Sequence, residues 1–395
     1  MTVAERMGLL HPDFAVISVA GTNGKGSSVS MLRSILMHAG YNTGSYTSPH
    51  LVRYNERICL NGVEVSDEML CAAFARIDQY RGDISLTYFE FGTLAALEIF
   101  QRAGIDIAVL EVGLGGRLDA VNCLDADAAL ITTIELDHEN WLGRDRETIA
   151  REKAGIMRSG SVAVCSDPNP PQSLFEHAAA LGTKLCVPGR DFSHHITNTF
   201  WEWQSDATIL FDLPRPSLYN TRQMENAAGV LMVLHSLSDS FPIDPHAIRR
   251  GLQEFNLSGR FQMVPDRAQL ILDVAHNRQA MELLVHNLKG LPVQGRTHVL
   301  IGMLRDKNHP AIFSEIMELA DFWHLVTLEG PRGTESVMLG RELAALGITD
   351  RVELYNTVAD ALKHIREIVG PQDRIVVTGS FLTVGAAMKH LRLSH

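Results

Sequence analysis

The sequence predicts two α/β domains, a larger one with a mostly parallel sheet and a smaller, doubly wound one. In the first half, short apolar runs at 14–20, 105–112 and 128–134 alternate with helical patterns, as buried parallel strands do. In the second half, five further strand-like runs are separated by helical stretches: 270–274, 297–303, 324–328, 352–355 and 374–378. We place the boundary between them, giving domains 1–257 and 258–395.

Other segments of the first domain also carry local signals. Asn61-Gly62 separates two short β-like runs and predicts a hairpin over 58–65, because this pair supplies the positive φ values of a tight primed turn. Residues 187–220 lose the β/α alternation and contain three prolines, so we expect an irregular excursion there. Helical patterns fill the remaining stretches, at 27–39, 91–103, 146–158 and 222–237.

Composition and charge exclude several classes of protein. With 35 basic and 46 acidic residues the net charge is −11, which argues against a binder of nucleic acid or anionic membranes. No apolar run approaches the ~18 residues of a membrane span, and the start has no apolar core of a signal peptide. The five scattered cysteines form neither a disulfide framework nor a zinc site. We expect a soluble, cytoplasmic monomer with no nucleic-acid or membrane partner.

The strongest motif is a loop between the first strand and the first helix. It reads Gly21-Thr22-Asn23-Gly24-Lys25-Gly26-Ser27. Backbone N–H groups and a helix N-terminus can cradle phosphate there, with Lys25 as the point charge. The usual P-loop has glycine where this chain has Val19, and a hydroxyl where it has Gly26. The alternative is a glycine-rich turn without a ligand.

The phosphate loop makes the predicted type of the first domain more specific. We expect an N-terminal P-loop ATPase-type domain and a C-terminal doubly wound, Rossmann-like domain. Because the shortened loop lacks its own hydroxyl, a residue elsewhere must help to hold Mg²⁺.

Polar residues follow three other predicted strands. Ser48 ends a short strand and offers the missing hydroxyl, although Ser-Pro more often marks only a turn. Glu111 lies at the end of a buried strand, where α/β folds place ligand chemistry. A lone histidine such as His138 is most often an ordinary loop residue. The prediction that His138 belongs to a site is stronger because Glu111 ends a neighbouring strand.

Eight motifs occur in the order in which folylpolyglutamate synthases carry them. They are 21–27, 47–51, 111–119, 136–138, 152–156, 258–261, 273–277 and 378–381. The chain therefore resembles this family over essentially its whole length. The run at 81–90 is similar to the bifunctional dihydrofolate synthase/folylpolyglutamate synthase branch, within the Mur ligase superfamily.

The resemblance implies an ATP-dependent ligase. It would join L-glutamate to 7,8-dihydropteroate, to the terminal glutamate of folates, or to both, through an acyl phosphate. The expected ATP site comprises Gly21–Ser27 with Lys25, Asn226 near the adenine, Arg260 at the phosphates and Asp273 at the nucleotide. Asn226 follows Glu225, where the family usually has proline.

The resemblance also implies two Mg²⁺ sites. Ser48 and Glu111 would bind one ion, and His138 and Lys153 the other, with Glu111 bridging. Mg²⁺ prefers oxygen ligands, so an ammonium group is unsuitable. The family carries a carbamylated lysine at this position, and we expect the same of Lys153.

Further residues are implied at the substrates. The pteroate pocket would use Thr87, Phe89, Asp119 and Ala120, the glutamate site Ser380, and the reacting end His276. The residue types alone leave open that Phe89 is a core aromatic, that Arg260 is a linker charge and that Asp273 is a strand-end cap.

Three alternative functions stay open at this point. The first is folylpolyglutamate synthase activity only, since family members usually carry an additional segment before the phosphate-loop strand that helps to form the pteroate pocket. The second is a ligase for a UDP-muramyl precursor, which would need a nucleotide-sugar domain before Gly21. The third is a nucleotide-binding regulator, whose slow ATP turnover would not respond to pteroate or glutamate.

Overall fold

The structure is a computed structural model that describes residues 1–197, 199–206, 208–216 and 221–393. These residues form two compact units. Unit 1 comprises Met1–His50 and Tyr54–Leu257. Unit 2 comprises the short segment Leu51–Arg53 and the chain from Ser258 onwards.

Unit 1 is built on an eight-stranded, mostly parallel sheet, which confirms the predicted fold class. Its strands are β1 Ala15–Ala20, β2 Thr43–Tyr46, β3 Ile58–Leu60, β4 Val63–Glu64, β5 Ile107–Glu111, β6 Ala128–Ile131, β7 Val162–Cys165 and β8 Lys184–Cys186. Their order is β4-β3-β2-β5-β1-β6-β7-β8, in which the pairs β2–β3 and β3–β4 are antiparallel and the others are parallel. Strands β3 and β4 form the predicted hairpin, with positive φ at Asn61 and Gly62.

Nine α-helices of unit 1 are found in the described residues. They are α1 Thr2–Arg6, α2 Lys25–His38, α3 Asp67–Arg81, α4 Tyr88–Ala103, α5 Glu139–Leu142, α6 Arg146–Ala154, α7 Gln172–Leu181, α8 Thr221–Ser236 and α9 Pro245–Glu254. Two apolar clusters cover the two faces of the sheet. Helices α2 and α8 pack on one face, and α4 packs on the other. The parallel β1 and β5 therefore present their carboxyl ends at one edge, between these layers.

The predicted irregular excursion at 187–220 is wrong for most of its length. Three strands, β9 Phe192–Ile196, β10 Phe200–Ser205 and β11 Thr208–Pro214, form a small antiparallel sheet. Alternate residues Trp201 and Trp203 point inward and are fully buried, which is the period-two pattern of a half-buried strand. Residues 217–220 of the predicted segment lie outside the described part of the chain.

Unit 2 contains a six-stranded sheet with helices on both faces, as the doubly wound prediction requires. Its strands are β12 Gln262–Val264, β13 Gln269–Leu272, β14 Thr297–Ile301, β15 Phe322–Val326, β16 Val352–Tyr355 and β17 Arg374–Thr378. Their order is β12-β13-β17-β14-β15-β16, with β12 the only antiparallel strand of this sheet. The helices are α10 Arg278–Lys289, α11 His309–Ile316, α12 Ser336–Ala345, α13 Val358–Ile368 and α14 Phe381–Leu391. Within the described ranges, no helix of either unit has the length and apolar character of a membrane span.

Candidate active site

The phosphate loop is held against the end of β6 by hydrogen bonds. Thr22 N donates to Thr133 O at 2.7 Å, and Thr132 Oγ1 donates to Asn23 O at 2.7 Å. Thr22 Oγ1 also accepts a hydrogen bond from Glu135 N at 3.0 Å. Thr132 and Thr133 were not identified as site residues from the sequence, although their position directly after a buried strand is a usable signal. These hydrogen bonds therefore hold the loop in one shape.

Two glycines of the loop have no room for a side chain. A Cβ at Gly21 would overlap Thr132 Oγ1, and a Cβ at Gly24 would lie 2.6 Å from Asn226 Nδ2. Gly24 also has φ +87°, a left-handed conformation that favours glycine. Asn226, on α8, thus lies directly against the loop. Its buried Oδ1 atom accepts no hydrogen bond from any described residue.

A second residue of α8 supports the loop from the same side. Gln223 Nε2 donates to Ser27 Oγ at 2.9 Å. Gln223 precedes Asn226 by three residues, so both lie on one helical face. This spacing is the sequence signal that could have identified Gln223.

Lys25 begins α2, and its ammonium group lies over the loop. Its Nζ donates to Gly21 O at 3.1 Å and to Thr22 O at 3.3 Å. The N-cap residue, Gly24, provides no side-chain cap, and the first turn of α2 contains no acidic residue. The helix N-terminus and Lys25 therefore combine in one positive field that suits an anion.

The predicted metal-binding residues Ser48 and Glu111 lie together. Glu111 is only 5% exposed at the end of β5, and its Oε2 accepts a hydrogen bond from Ser48 N at 3.2 Å. The same oxygen lies 3.8 Å from the position of a Cβ on Gly26. A buried carboxylate is thereby placed beside the phosphate loop. In the described part of the chain, no three His, Cys, Asp or Glu side chains are grouped to hold a metal, and the predicted set contains only two of these types.

Lys153 is buried on α6, with 2% of its surface exposed. Helix α6 is held against the loop after β5, where Arg117 N donates to Glu152 O at 2.8 Å and a Cβ at Gly116 would lie 2.7 Å from that oxygen. Burial, and then the charge of Lys25, lower the pKa of Lys153 to about 7, while the charge of Asp137 acts in the opposite direction. The two lysines are therefore electrostatically coupled.

His138 follows β6 in the loop that precedes α5. Its backbone is left-handed, with φ +52°, and its N–H donates to Asp137 Oδ1 at 2.8 Å. A non-glycine residue rarely adopts this conformation without a local reason. The conformation redirects the chain into the four-residue helix α5.

Residues predicted for the pteroate pocket gather on the opposite face of the sheet. The Phe89 ring lies against the backbone after β5, where a Cβ at Gly113 would be 2.6 Å from its Cζ. Asp119 accepts hydrogen bonds from Leu114 N at 2.9 Å and Val121 N at 3.0 Å, and it precedes the 3-10 helix Ala120–Cys123. Burial raises the pKa of Asp119 in spite of these bonds. Thr87 is the N-cap of α4, where its hydroxyl accepts from Glu90 N at 3.2 Å.

Unit 2 gathers its own predicted residues around the ring of Phe381. The Arg260 guanidinium lies 5.2 Å from that ring, and the His276 ring lies 5.9 Å from it. Ser380 precedes Phe381 as the N-cap of α14 and accepts a hydrogen bond from Thr383 N at 3.0 Å. The sequence reasoning did not identify Phe381, although it belongs to the C-terminal motif.

Asp273 shapes the backbone at the end of β13. Its Oδ2 accepts from Phe261 N and its Oδ1 from Ala275 N, both at 2.8 Å. Desolvation raises the pKa of Asp273, and the charge of Arg260 acts against this. The alternative that Asp273 caps a strand end thus describes part of its role. His276 Nδ1 donates to Val274 O at 2.8 Å in the same turn.

Two known domain families match the chain, one in each unit. Residues 19–187 match the Mur ligase middle domain, and residues 259–381 match the Mur ligase glutamate ligase domain. The chain is 43% identical over 387 residues to the dihydrofolate synthase/folylpolyglutamate synthase of Escherichia coli, across 98% of this chain and 89% of that protein. This chain belongs to the dihydrofolate synthase/folylpolyglutamate synthase family. The predicted resemblance is confirmed.

Other members of the dihydrofolate synthase/folylpolyglutamate synthase family are also similar to the chain in sequence and in structure. The protein of Haemophilus influenzae is 38% identical across 97% of this chain and 90% of its own length. The E. coli FolC structure in complex with DHPP and ADP has a TM-score of 0.93 and 42% identity, covering 99% of this chain and 92% of that one. A bifunctional synthase with Mn, AMPPNP and L-glutamate bound has a TM-score of 0.92 and 44% identity, covering 99% and 93%.

Proposed function

We propose that this protein is an ATP-dependent ligase that joins L-glutamate to 7,8-dihydropteroate and to the terminal glutamate of folates. The observation that carries the proposal is the buried Glu111 carboxylate, held beside a phosphate loop with Lys25 at its helix N-terminus. Membership of the synthase family over nearly the full chain supports the same reaction. A regulator would not need the second set of polar residues that unit 2 provides.

Residues 21–27 hold the ATP phosphates in this proposal. The backbone N–H groups at the start of α2 and the Lys25 ammonium supply the positive field. Asn226 contacts the adenine, and its unpaired buried Oδ1 suits an amino-group donor such as that on adenine. We also propose that Arg260 and Asp273 bind the nucleotide.

We propose that the site holds two Mg²⁺ ions. Ser48 and Glu111 would hold the first, and Glu111, His138 and Lys153 the second. Bound Mg²⁺ would neutralise charge on the phosphate oxygens. Lys153 needs a negative charge for this role, and its pKa of about 7 leaves much of its amine neutral at physiological pH. A neutral amine adds CO₂ and releases a proton to form a carbamate anion, so we propose that Lys153 is carbamylated.

The reaction proceeds in two transfers. The substrate carboxylate attacks the γ-phosphorus of ATP, giving an acyl phosphate and ADP. The amine of L-glutamate then attacks the acyl carbon, forming the amide and releasing phosphate. Lys25 and Arg260 stabilise charge on the transferred group, and a positioned base such as His276 accepts the proton lost by the amine.

The pteroate and L-glutamate occupy separate sites in this proposal. Phe89, Asp119 and Ala120 bind the pteroate, where the aromatic ring offers a flat apolar wall. Thr87 lies beside them, and the cap of α4 uses its hydroxyl as an acceptor, so its O–H can still donate. Ser380 belongs to the L-glutamate site.

Phosphate release by the intact chain tests the proposal. MgATP and L-glutamate are supplied with dihydropteroate in one reaction and with tetrahydrofolate in another. Release that requires glutamate in both reactions supports both activities. Release with tetrahydrofolate alone restricts the protein to polyglutamylation, and release that neither acceptor affects contradicts the proposal.

A further inference from the structure

A buried arginine lies close to the proposed pteroate pocket, and no residue of the described chain neutralises it. Arg57 is 7% exposed at the end of the 3-10 helix Tyr54–Arg57. Its Nε donates to His50 Nδ1 at 2.9 Å. Across the described ranges, Arg57 forms no ion pair with a carboxylate. The positive charge of its guanidinium group is therefore not balanced by a contacting carboxylate of the described chain.

Two tyrosine rings flank the guanidinium group of Arg57. Its Cζ lies 5.4 Å from the ring centroid of Tyr54 and 5.4 Å from that of Tyr88. Cation–π contacts of this kind offset only part of the cost of removing the cation from water. The exposed ring of Tyr88 forms the solvent side of this arrangement.

A buried hydroxyl group lies in the same place. Tyr46 is fully buried, and its Oη lies near the side chains of Thr93 and Arg57. A Cβ at Gly92 would lie 2.9 Å from that Oη and would also overlap the Oη of Tyr54, so both hydroxyls converge at the start of α4.

The arrangement adjoins both the metal-binding residues and the pteroate pocket. Tyr46 pairs with Leu110, the residue before Glu111. Arg57 O accepts from Thr47 N at 2.9 Å, and Thr47 precedes Ser48. The Tyr46 ring lies 5.7 Å from the ring of Phe89.

We propose that Arg57 and Tyr46 form a carboxylate-binding subsite for the pteroate or folate substrate. The inference rests on the proposed function and adds to it the residues that recognise a substrate carboxylate. A guanidinium fork binds a carboxylate through two parallel hydrogen bonds, and the Tyr46 hydroxyl supplies a third. One bound carboxylate would neutralise the buried cation and accept a hydrogen bond from the buried hydroxyl.

The carboxylate could come from two positions on the substrates. Dihydropteroate carries one carboxylate, on its benzoyl ring, which is also the group that reacts. A folate carries an α-carboxylate in addition to its reacting γ-carboxylate. The shared chemistry is a planar anion, and separate titrations of dihydropteroate and tetrahydrofolate distinguish the two sources.

Equilibrium binding in the presence of Mg²⁺ and AMPPNP tests the subsite without catalysis. We expect Arg57→Met to weaken binding of at least one compound by ~10- to 100-fold, and Tyr46→Phe by a smaller factor. Arg57→Lys should recover part of the loss, because it restores the charge but not the fork. Loss with both compounds assigns the reacting carboxylate, and loss with tetrahydrofolate alone assigns the α-carboxylate.

A carboxamide analogue of dihydropteroate separates recognition from packing. The effects of Arg57→Met and of the amide should be non-additive, so that the variant and the wild type bind the amide with similar affinity. Arg374→Met is the matched control, since Arg374 is also buried but donates to the neutral oxygens of Gln269 and Leu291 in unit 2. It should leave both affinities unchanged.

The outcomes distinguish this inference from the proposed function. If the wild type binds both compounds and Arg57→Met and Tyr46→Phe bind them equally well, the subsite is wrong and the ligase proposal stands. Equal losses for the acid and its amide also overturn the subsite, since they indicate a packing role. If the wild type binds neither compound, both proposals fail together.

Discussion

The strand ends of the two sheets use buried charge in different ways. In unit 1, Glu111 and Lys153 are buried beside Lys25, and the charge of Lys25 makes the protonated form of Lys153 still less favourable. In unit 2, burial raises the pKa of Asp273, but the charge of Arg260 and two backbone N–H groups offset part of this effect. The like charge of Lys25 thus adds to the cost of burying Lys153, whereas Asp273 is supported by an opposite charge and by hydrogen bonds that hold the turn after β13. Substitutions in unit 1 should therefore affect activity more than stability.

The largest expected effect is that of Lys25→Ala. Removing the ammonium group from the phosphate loop should lower kcat for phosphate release by on the order of 10²–10³-fold, because charge on the transferred phosphoryl group loses its stabilisation. The melting temperature should change little. Lys184→Ala, at an exposed lysine on β8, is the matched control and should behave as the wild type. A loss below 10-fold would remove Lys25 from the phosphate site.

Lys153→Met should separate activity from stability. Phosphate release should fall by on the order of 10²-fold, and acetate or added bicarbonate should restore part of the activity of Lys153→Ala but not of the bulkier variant. Since folding disfavours the protonated amine, its pKa falls from its ordinary value to about 7. Lys153 therefore costs stability at neutral pH, and this cost diminishes as the pH rises.

The measurement for this variant is a thermal melt without ligands. Lys153→Met should have a higher melting temperature than the wild type at pH 7, and the difference should shrink toward pH 10. Full activity in this variant would contradict a role for Lys153 at the metal sites. A lower melting temperature of the variant at pH 7 would contradict the prediction that the buried amine of Lys153 destabilises the folded protein.

Asp273→Asn should mainly affect the stability of unit 2. The amide retains one acceptor oxygen, so one of the two backbone N–H groups from Phe261 and Ala275 loses its partner. We expect about 1–3 kcal/mol less free energy of unfolding by urea denaturation. Asp350→Asn, at an exposed loop position, is the control. Unchanged stability with reduced ATP affinity would show that Asp273 serves the nucleotide and not the turn.

A further expected effect is an acid-dependent loss of stability in unit 2. His298 Nδ1 lies 3.1 Å from His324 Nε2 across β14 and β15. Burial lowers the pKa of both, and that of His324 falls to about 4. In the unfolded chain these histidines become protonated near pH 6.5, whereas in the folded chain they stay neutral to lower pH. Stability should therefore fall from pH 6.5 toward pH 4 and then level off. Urea titrations of wild type and His324→Gln test this, and an unchanged slope in the variant would contradict it.

Local patterns in the sequence were sufficient for part of this structure. The Asn61-Gly62 hairpin follows from turn chemistry, and the phosphate loop follows from glycines between a strand and a helix. The strand alternation of unit 2 is also present, although the edge strand β12 was not predicted. Such features depend on neighbouring residues, which a single sequence displays.

Features that depend on distant residues were missed. The segment 187–220 contains three prolines, which predict irregular structure. The alternation of the buried Trp201 and Trp203, which marks a strand of the small antiparallel sheet, was therefore not recognised. The contacts of Asn226 with Gly24, and of Tyr46 with Gly92, join residues that only the fold brings together. The convergence of Arg57 and Tyr46 requires the pairing of β2 with β3, which no local pattern encodes.

Product identification by mass spectrometry tests the central claim most directly. The intact chain is incubated with MgATP, dihydropteroate and isotopically labelled L-glutamate, in parallel with Lys25→Ala. The account predicts an amide product that carries one labelled glutamate, formed in step with ADP by the wild type and not by the variant. ADP formation without the labelled amide would contradict the claim that the buried charges at the strand ends of unit 1 serve a ligase.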